Sequence, residues 1–312
     1  MLLNISTHKN VLDSEKLYDV LIIGTGPAGL SASIYAARKG LKVGVIGDKT
    51  GGQVGDTSSV ENYIGFEFIS GQDLAESFEK HAKSLGIDML DHVKVKKVEK
   101  SDKISLICDN YMTYQAKSLI VATGSKSRQL EIPGEKELYG KGVTYCGICD
   151  GPLFKDKTVT VVGGGNSAVE AAIDLSKIAN KVYLVHRSQF RADKILMDRL
   201  EKIENIKVHL GTRIKEIVGT NQVEKILLEG EIGEIKTDGV LVEIGYVPNS
   251  QFLDDITLNE RGEVLIGELN QTNIEGIYAA GDVTNVRYKQ IVVAASEGAK
   301  AALSVNDYIN TL

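Results

Sequence analysis

The sequence predicts an α/β fold of two domains, one inserted into the other, and three observations predict it. The 312 residues suffice for about two domains, each large enough to bury its own core. A strand-like apolar run, a glycine-rich turn, a helical stretch and a second apolar run follow one another twice, with Gly24 and Gly163 offset by 139 residues. Two further strand-then-glycine segments, SLIVATG (118–124) and GIYAAGD (276–282), begin no such unit, so one domain can draw on both ends of the chain.

In chain order, YDVLII (18–23) reads as a buried strand and Gly24-Thr25-Gly26-Pro27-Ala28-Gly29 as the turn after it. LSASIYAARKG follows as a helix ending at Gly40, and KVGVI (42–46) as the second strand. The second copy runs TVTVV (158–162), Gly163-Gly164-Gly165-Asn166-Ser167-Ala168, the helix VEAAIDLSKIAN, and KVYLV (181–185). A lone glycine triplet says little, because glycine turns are common. Here each has a strand before it, a helix after it and a strand about 20 residues on, the context of a Rossmann-like βαβ unit. The first glycine permits the tight turn, the second lets backbone approach a pyrophosphate, and the third, or a small Ala, lets helix and strand pack closely. The helix N-terminus then faces the phosphate charge. At the C-terminal end, VVAASEGAKAALSVNDYI has a helical pattern that can cover the sheet. KVKKVEKSDK (94–103) reads as a solvated strand and turn.

Composition narrows the function. With 43% apolar and 25% charged residues the chain is globular, which excludes disordered, collagen-like and disulfide-scaffold classes. Thirty-six Lys and Arg against 42 Asp and Glu leave a formal net charge of −6, so there is no basic surplus for nucleic acid or an anionic membrane. Apolar runs such as VLII and LIVA fall far short of a membrane span, and MLLNISTHKNVLDSEKLYD reads as no secretory signal. A cytoplasmic location is expected.

The residue ending the second strand of such a unit meets the adenosine ribose: an acid accepts from a 2′-hydroxyl, an arginine accommodates a 2′-phosphate. Twenty-four residues after the first glycine stand Asp48 in the first unit and Arg187 in the second. The charges are opposite. The first unit therefore suits an adenosine with a free 2′-hydroxyl, as in FAD, and the second, His186-Arg187-Ser188-Gln189-Phe190-Arg191, favours NADPH over NADH. The competing reading of Arg187 and Arg191 is a solvated helix start.

Cys146-Gly147-Ile148-Cys149-Asp150 places two sulfurs within bonding reach on one turn, followed by an acid. Structural zinc would need two further ligands at defined spacing; Cys108 stands alone and the five histidines are scattered. A redox dithiol is the stronger reading, and Cys108 reads as a small packed side chain.

With these blocks in view, the sequence resembles the low-molecular-weight thioredoxin reductases from Tyr18 to Leu312. The matching blocks are GTGPAG, GGQVGDT with VENYIGF, IVATG, KGVTYCGICDG, VVGGGNSAVEAAIDL, GYVPNS, and GIYAAGDV with YKQIVVAASEGAKAAL. GGQVGDTSSVENYIGF, KGVTYCGICDGPLF and YKQIVVAASEGAKAALS are closer still to the flavoprotein subunit of alkyl hydroperoxide reductase. Only 17 residues precede Tyr18, so the additional N-terminal thioredoxin-fold domain of that subunit is expected to be absent and its role to pass to a separate protein. The resemblance implies two Rossmann-like (FAD/NAD(P)-binding) domains: an FAD domain over 1–124 and 249–312, and an NADPH domain over 125–248 that carries the cysteine pair. It implies FAD held by Gly24, Gly26, Pro27, Ala28, Gly29, Gly52, Gln53, Thr57 and Asn62. Further contacts are implied from Val95, Thr123, Gly124, Gly281, Asp282, Lys289, Gln290 and Ile291, with Asp282 on the ribityl chain. NADPH falls to Gly163, Gly165, Asn166, Ser167, Ala168, His186, Arg187 and Arg191. The family pattern H-R-R-x-x-x-R is one arginine short here, which keeps NADH open. Cys149 is implied to face the flavin, Cys146 to attack the partner disulfide, and Asp150 to act as general acid. A homodimer is implied as well.

The activity expected is NADPH-dependent thioredoxin-disulfide reduction: electrons pass from NADPH through FAD and Cys146–Cys149 to thioredoxin or a glutaredoxin-like carrier, with Lys141 a candidate for contacting it. The alternative is the NAD(P)H-linked reductase component of an alkyl hydroperoxide reductase system. A ferredoxin–NADP reductase of related type lacks the cysteine pair, and a flavin-bound sensor leaves the two loops and the dithiol unexplained. Because cysteines and nicotinamide site share one inserted domain yet both need the flavin, that domain is expected to rotate about crossings near 124–128 and 245–249.

Overall fold

The computed structural model describes residues 11–57, 60–230 and 233–312. The N-terminal ten residues, and Ser58 and Ser59 of the GGQVGDTSSVENYIGF block, lie outside the described residues. The chain divides into two compact units: one runs to Lys126 and resumes over Val247–Leu312, the other is Ser127–Tyr246.

The first stretch forms β1 (Leu17–Ile23), α1 (Pro27–Arg38), β2 (Val43–Gly47), α2 (Gly71–Ser84), β3 (Asp88–Asp91), β4 (Val95–Lys100), β5 (Ile104–Cys108), β6 (Thr113–Val121) and β7 (Ser125–Ser127). The inserted stretch forms β8 (Val143–Thr144), α3 (Gly147–Asp150), β9 (Thr158–Val162), α4 (Asn166–Ser176), β10 (Lys181–His186), α5 (Lys194–Leu200) and β11 (Ile206–Leu210). It continues with β12 (Ile214–Val218), β13 (Lys225–Leu228), β14 (Glu234–Lys236), β15 (Gly239–Val242) and β16 (Tyr246–Pro248); β17 (Ile277–Ala279) and α6 (Ile291–Ile309) complete the chain.

The first unit is built on a sheet ordered β3-β2-β1-β6-β5-β4. β1, β2 and β3 run parallel to β6, whose far side is shared: its first half pairs antiparallel with β5 and its last residues pair parallel with β17. Val20, Leu21 and Ile22 are buried on both faces of the sheet, as a strand with helices above and other packing below requires, and each such side chain contributes about 1.5–3 kcal/mol. α1 opens with Pro27 in its first turn, where a missing N–H costs nothing, and turns a face of Ala28, Gly29, Leu30, Ala32 and Ala36 inward. α2 is capped by the Ser70 hydroxyl, which accepts from the Asp73 N–H at 3.1 Å.

The second unit holds a parallel sheet ordered β11-β10-β9-β15-β8, with β12, β13 and β14 as a separate antiparallel sheet. The expected helix over 169–180 ends early, at Ser176, because Asn205 Nδ2 donates to the carbonyls of both Ser176 and Ala179 and closes the last turn. The chain crosses between units over β7 and β16, which pair with each other. On the first unit's side Thr123 and Asn249 bond reciprocally, Thr123 Oγ1 to the Asn249 carbonyl at 2.7 Å and Asn249 Nδ2 to the Thr123 carbonyl at 2.9 Å. On the second unit's side the Arg128 N–H donates to the Gly245 carbonyl. Among the described residues no helix is long and apolar enough to cross a membrane.

α6 covers the first sheet with a stripe of small residues, Ala294, Gly298, Ala301 and Ala302, that lets it approach α1. At Gly298 an added Cβ would stand 1.9 Å from the Ala28 carbonyl oxygen. Gly298→Ala therefore sets two effects against each other: a gain of about 1 kcal/mol in helix propensity, and an overpacking cost of about 1–3 kcal/mol against backbone that cannot step aside. The contact is expected to win, lowering the thermal unfolding midpoint by a few degrees; an unchanged or raised midpoint refutes the close approach.

Candidate functional site

In the first unit the three glycines of GTGPAG have three distinct surroundings. Gly24 has φ +117°, and a Cβ there would lie 2.1 Å from the carbonyl oxygen of Ala122, just beyond β6. A Cβ at Gly29 would lie 1.9 Å from the Gly24 carbonyl oxygen. Gly26, the extended residue capping α1, has nothing within 4 Å of its Cβ position. Gly24 makes the turn, Gly29 closes helix on strand, and Gly26 leaves open space in front of the N–H groups that begin α1, where an anion is best held. Pro27 and Ala28 form that first turn. The Thr25 hydroxyl donates to the Lys49 carbonyl and the Gly51 N–H to the Thr25 carbonyl, fixing the loop to the end of β2.

Around this loop the fold gathers most of the residues singled out in the sequence. A Cβ at Gly52 would lie 3.4 Å from the Gly26 Cα. Gln53 is exposed on the 3-10 turn Gly52–Asp56, and Thr57 follows it. Thr123 and Gly124 follow β6; Gly281 packs against Ala28, its Cβ position 2.9 Å from the Ala28 Cβ. Asp282, in the 3-10 turn Gly281–Val283, is the electrostatic oddity: burial pushes its carboxyl up to about 6, against the opposing pull of Lys289. Lys289 donates to the Thr284 carbonyl at 2.5 Å and pairs with Glu263 at 3.1 Å. Asn62 Nδ2 donates to Gln290 Oε1 at 3.2 Å, and Ile291 begins α6. Asp48 is exposed after β2 and pairs with Lys94 at 3.2 Å. Val95 differs from the rest: its side chain is buried in the core with Val93 and Leu106.

The second unit repeats the loop with different neighbours. Gly163 has φ +155°, with its Cβ position 2.3 Å from the Glu243 carbonyl oxygen and 2.6 Å from the Ala168 Cβ. Gly165 is open, Ala168 is fully buried, and Asn166 and Ser167 begin α4. Asn166 already exchanges two hydrogen bonds with Asp193. The His186 ring fills the space above Gly164, stacks on Phe190 with centroids 6.0 Å apart, and hydrogen-bonds Ser188. Burial, then the charges of Arg191 and Arg187, hold His186 below its ordinary value. Both arginines are exposed, and among the described residues neither has an ion-pair partner. They precede α5, which starts at Lys194, so they do not form a helix start.

Cys146 and Cys149 form a disulfide, with Cα atoms 5.3 Å apart, around the single turn α3. Cys146 caps that turn, its sulfur accepting from the Cys149 N–H at 3.2 Å. One residue not singled out in the sequence holds the turn in place. The Thr144 hydroxyl, at the end of β8, donates to Asp150 Oδ2 and accepts from the Cys146 N–H at 3.1 Å. Glu243, just after β15, has its carboxyl pushed up to about 7 by burial, with the Gly147 N–H drawing it the other way. The sequence signal for Glu243 was present: an acid directly after the apolar strand Gly239–Val242, at the strand end where open α/β sheets place ligands. Ile148, between the cysteines, is 66% exposed, and Lys141 is exposed five residues before Cys146. Cys108 is buried, its thiol pushed up to about 11 by burial and the neighbouring Asp109, which makes it a packed side chain and not a reactive one. Among the described residues no group of three or more His, Cys, Asp or Glu could hold a metal ion.

Comparison with known proteins agrees with this geometry. The model of the family described as pyridine nucleotide-disulphide oxidoreductase matches residues 18–298. The chain is 44% identical over 304 residues to the F component of alkyl hydroperoxide reductase from Staphylococcus aureus, an alignment covering 95% of this chain and 60% of that protein; it thus spans about three fifths of the length of the curated relatives it matches. Its fold is similar to that of thioredoxin reductase from Streptococcus pyogenes, with TM-score 0.89, 38% identity and coverage of 95% of this chain and 99% of the other. Thioredoxin reductase from Giardia duodenalis gives TM-score 0.90 at 33% identity, again over 95% and 99% of the two chains. The chain belongs to the pyridine nucleotide-disulphide oxidoreductase family, whose chemistry uses FAD and NAD(P)H.

Proposed function

We propose that this protein is an FAD-dependent disulfide reductase that takes electrons from NADPH and delivers them, through the Cys146–Cys149 disulfide, to a thioredoxin or glutaredoxin-like carrier. The observation that carries the reading is the placement of a half-buried disulfide and an open glycine loop on one unit, with β15 walling both, while the other unit supplies a second open loop.

The residues of the first unit fit FAD. Gly26 leaves room for the pyrophosphate, and the half-buried Asp282 carboxyl, near 6, can accept from or donate to a polyol hydroxyl. Gly52, Gln53, Thr57, Asn62, Thr123, Gly124, Gly281, Lys289, Gln290 and Ile291 complete the proposed contacts, with Val95 through its backbone and Asp48 toward the adenosine ribose. Bound FAD supplies the step from hydride to electron pair that a nicotinamide and a disulfide do not make readily unaided. In the second unit Gly163, Gly165, Asn166, Ser167 and Ala168 would carry the NADPH pyrophosphate on the start of α4. Arg187 and Arg191 would clamp the 2′-phosphate beside a neutral His186. Cys149 is assigned to the flavin side and Cys146 to the partner disulfide, with Asp150, steadied by Thr144, as the acid that protonates the leaving sulfur. The reading includes a homodimer. A second reading, the reductase component of an alkyl hydroperoxide reductase system, is favoured by the 44% identity to the Staphylococcus aureus protein and differs in partner, not in chemistry.

Three measurements test the proposal. Anaerobic NADPH should bleach the flavin band of the purified protein, and Cys149→Ser should retain that bleaching while losing disulfide transfer to thioredoxin; a colourless protein that flavin cannot reconstitute refutes it. Gly26→Ala meets no protein atom and keeps an ordinary backbone conformation, so thermal stability should hold while flavin content falls severalfold; full flavin retention would put the pyrophosphate elsewhere. Arg187→Ala should lower kcat/KM for NADPH about tenfold to a hundredfold, the equivalent of one charge-assisted bond of about 1.5–3 kcal/mol, with NADH little changed. Equal losses with both nucleotides would remove the phosphate clamp.

A further inference from the structure

The acid that opens α5 does not serve its own helix. Asp193 stands at the N-cap position of α5 in an extended conformation, where an aspartate side chain ordinarily accepts from a first-turn N–H, yet its carboxylate makes no such bond. It is turned instead to Asn166, the first residue of α4. Asn166 Nδ2 donates to Asp193 Oδ2 at 2.8 Å, and the Asp193 N–H donates to Asn166 Oδ1 at 2.9 Å. Two residues earlier, the Arg191 N–H donates to the Gly164 carbonyl at 2.8 Å. Three hydrogen bonds therefore tie segment 191–193 to the glycine loop, and the His186 ring, just before Arg187, fills the space above Gly164. From Arg187 to Asp193 no residue is fully buried; Phe190 and Ala192 only lean on the core, which leaves these ties to fix the two arginines relative to the loop.

We propose that Asp193 is a positioning residue for the dinucleotide: through Asn166 it holds the arginine segment at a fixed distance from the glycine loop, so that a 2′-phosphate and a pyrophosphate on one ligand are met together. The inference rests on the reading of these two loops as the NADPH site. A ligand that spans both loops gains from the tie, and one that touches the arginines alone does not. The charge of Asp193 itself opposes an anionic ligand, so pre-organisation and electrostatics predict opposite signs for its removal.

The test is equilibrium binding to the full-length protein with its flavin, and needs neither hydride transfer nor a carrier. NADP+ spans both loops and is titrated by calorimetry; 2′-AMP reaches the arginine segment alone and is followed by its displacement of NADP+. Asp193→Ala removes a carboxylate that does not cap α5, so the fold should hold. It is expected to raise the Kd of NADP+ about threefold to tenfold, the equivalent of one hydrogen bond, without weakening 2′-AMP. Asp193→Asn keeps an oxygen to accept from Asn166 Nδ2 and removes the charge, so it should bind NADP+ at least as tightly as the parent. An Ala variant that binds NADP+ as well as the parent, or an Asn variant as weak as the Ala one, overturns the proposal. Equal weakening of both ligands overturns it too and assigns Asp193 a structural role only. A parent protein that binds no NADP+ overturns the nucleotide reading itself, and this inference with it.

Discussion

In both units a backbone carbonyl from the neighbouring strand stands where a side chain would otherwise be, and the nucleotide loop is shaped around it. In the first unit this is the Ala122 oxygen against Gly24, in the second the Glu243 oxygen against Gly163. Any Cβ at either glycine would collide with a carbonyl just past the neighbouring parallel strand, on a residue whose own N–H is bonded into the sheet, Ala122 to Ile23 and Glu243 to Val162, so the loop cannot relax away from the clash. The tight turn that results delivers the helix N-terminus to the end of the sheet with its N–H groups free. The open positions at Gly26 and Gly165 follow from the same turn: they are the places where the loop faces neither strand nor helix.

The duplicated loops then part company through the residue that supplies the carbonyl. Ala122 has only a methyl side chain, whereas Glu243 brings an acid to the end of β15, its carboxyl pushed up to about 7 by burial. β8, the edge strand beside β15, ends in Thr144 and leads straight into Cys146, so the disulfide hangs from the same sheet edge that shapes the nucleotide loop. A redox pair placed by an edge strand and one four-residue helix has few contacts of its own; its orientation comes from the Thr144 hydroxyl, which accepts from the Cys146 N–H and donates to the Asp150 carboxylate. That arrangement lets the sulfurs stay half exposed, with Ile148 projecting between them, while the backbone beneath them is held.

The parts of this structure visible in the sequence are those that local chemistry dictates. Buried parallel strands need continuous apolar runs, as in VLII and TVTVV, and the tight turns need glycine at fixed offsets, so the two βαβ units and the cysteine turn could be read directly. The parts that were not visible depend on distant partners. α4 ends at Ser176, whose carbonyl is taken by Asn205, 29 residues away. The sheet of β12, β13 and β14 is short and antiparallel, and its strands alternate weakly. Val95, which the resemblance implies as a flavin contact, has its side chain in the core, and no local pattern in the sequence shows that burial.

The same distinction bears on the two adenosine ends. Asp48 has an ion-pair partner, Lys94, but both are more than half exposed, and such a pair is worth about 0–1 kcal/mol, so a ribose hydroxyl can compete for the carboxylate at little cost. Arg187 and Arg191 have no carboxylate beside them among the described residues, and their joint field already disfavours a third positive charge on His186. Two unpaired cations flanking a neutral ring make a surface that an added phosphate would relieve and a bare hydroxyl would not. In the proposed function, a preference of the second unit for a phosphorylated adenosine would reside in the uncompensated charge of the arginines.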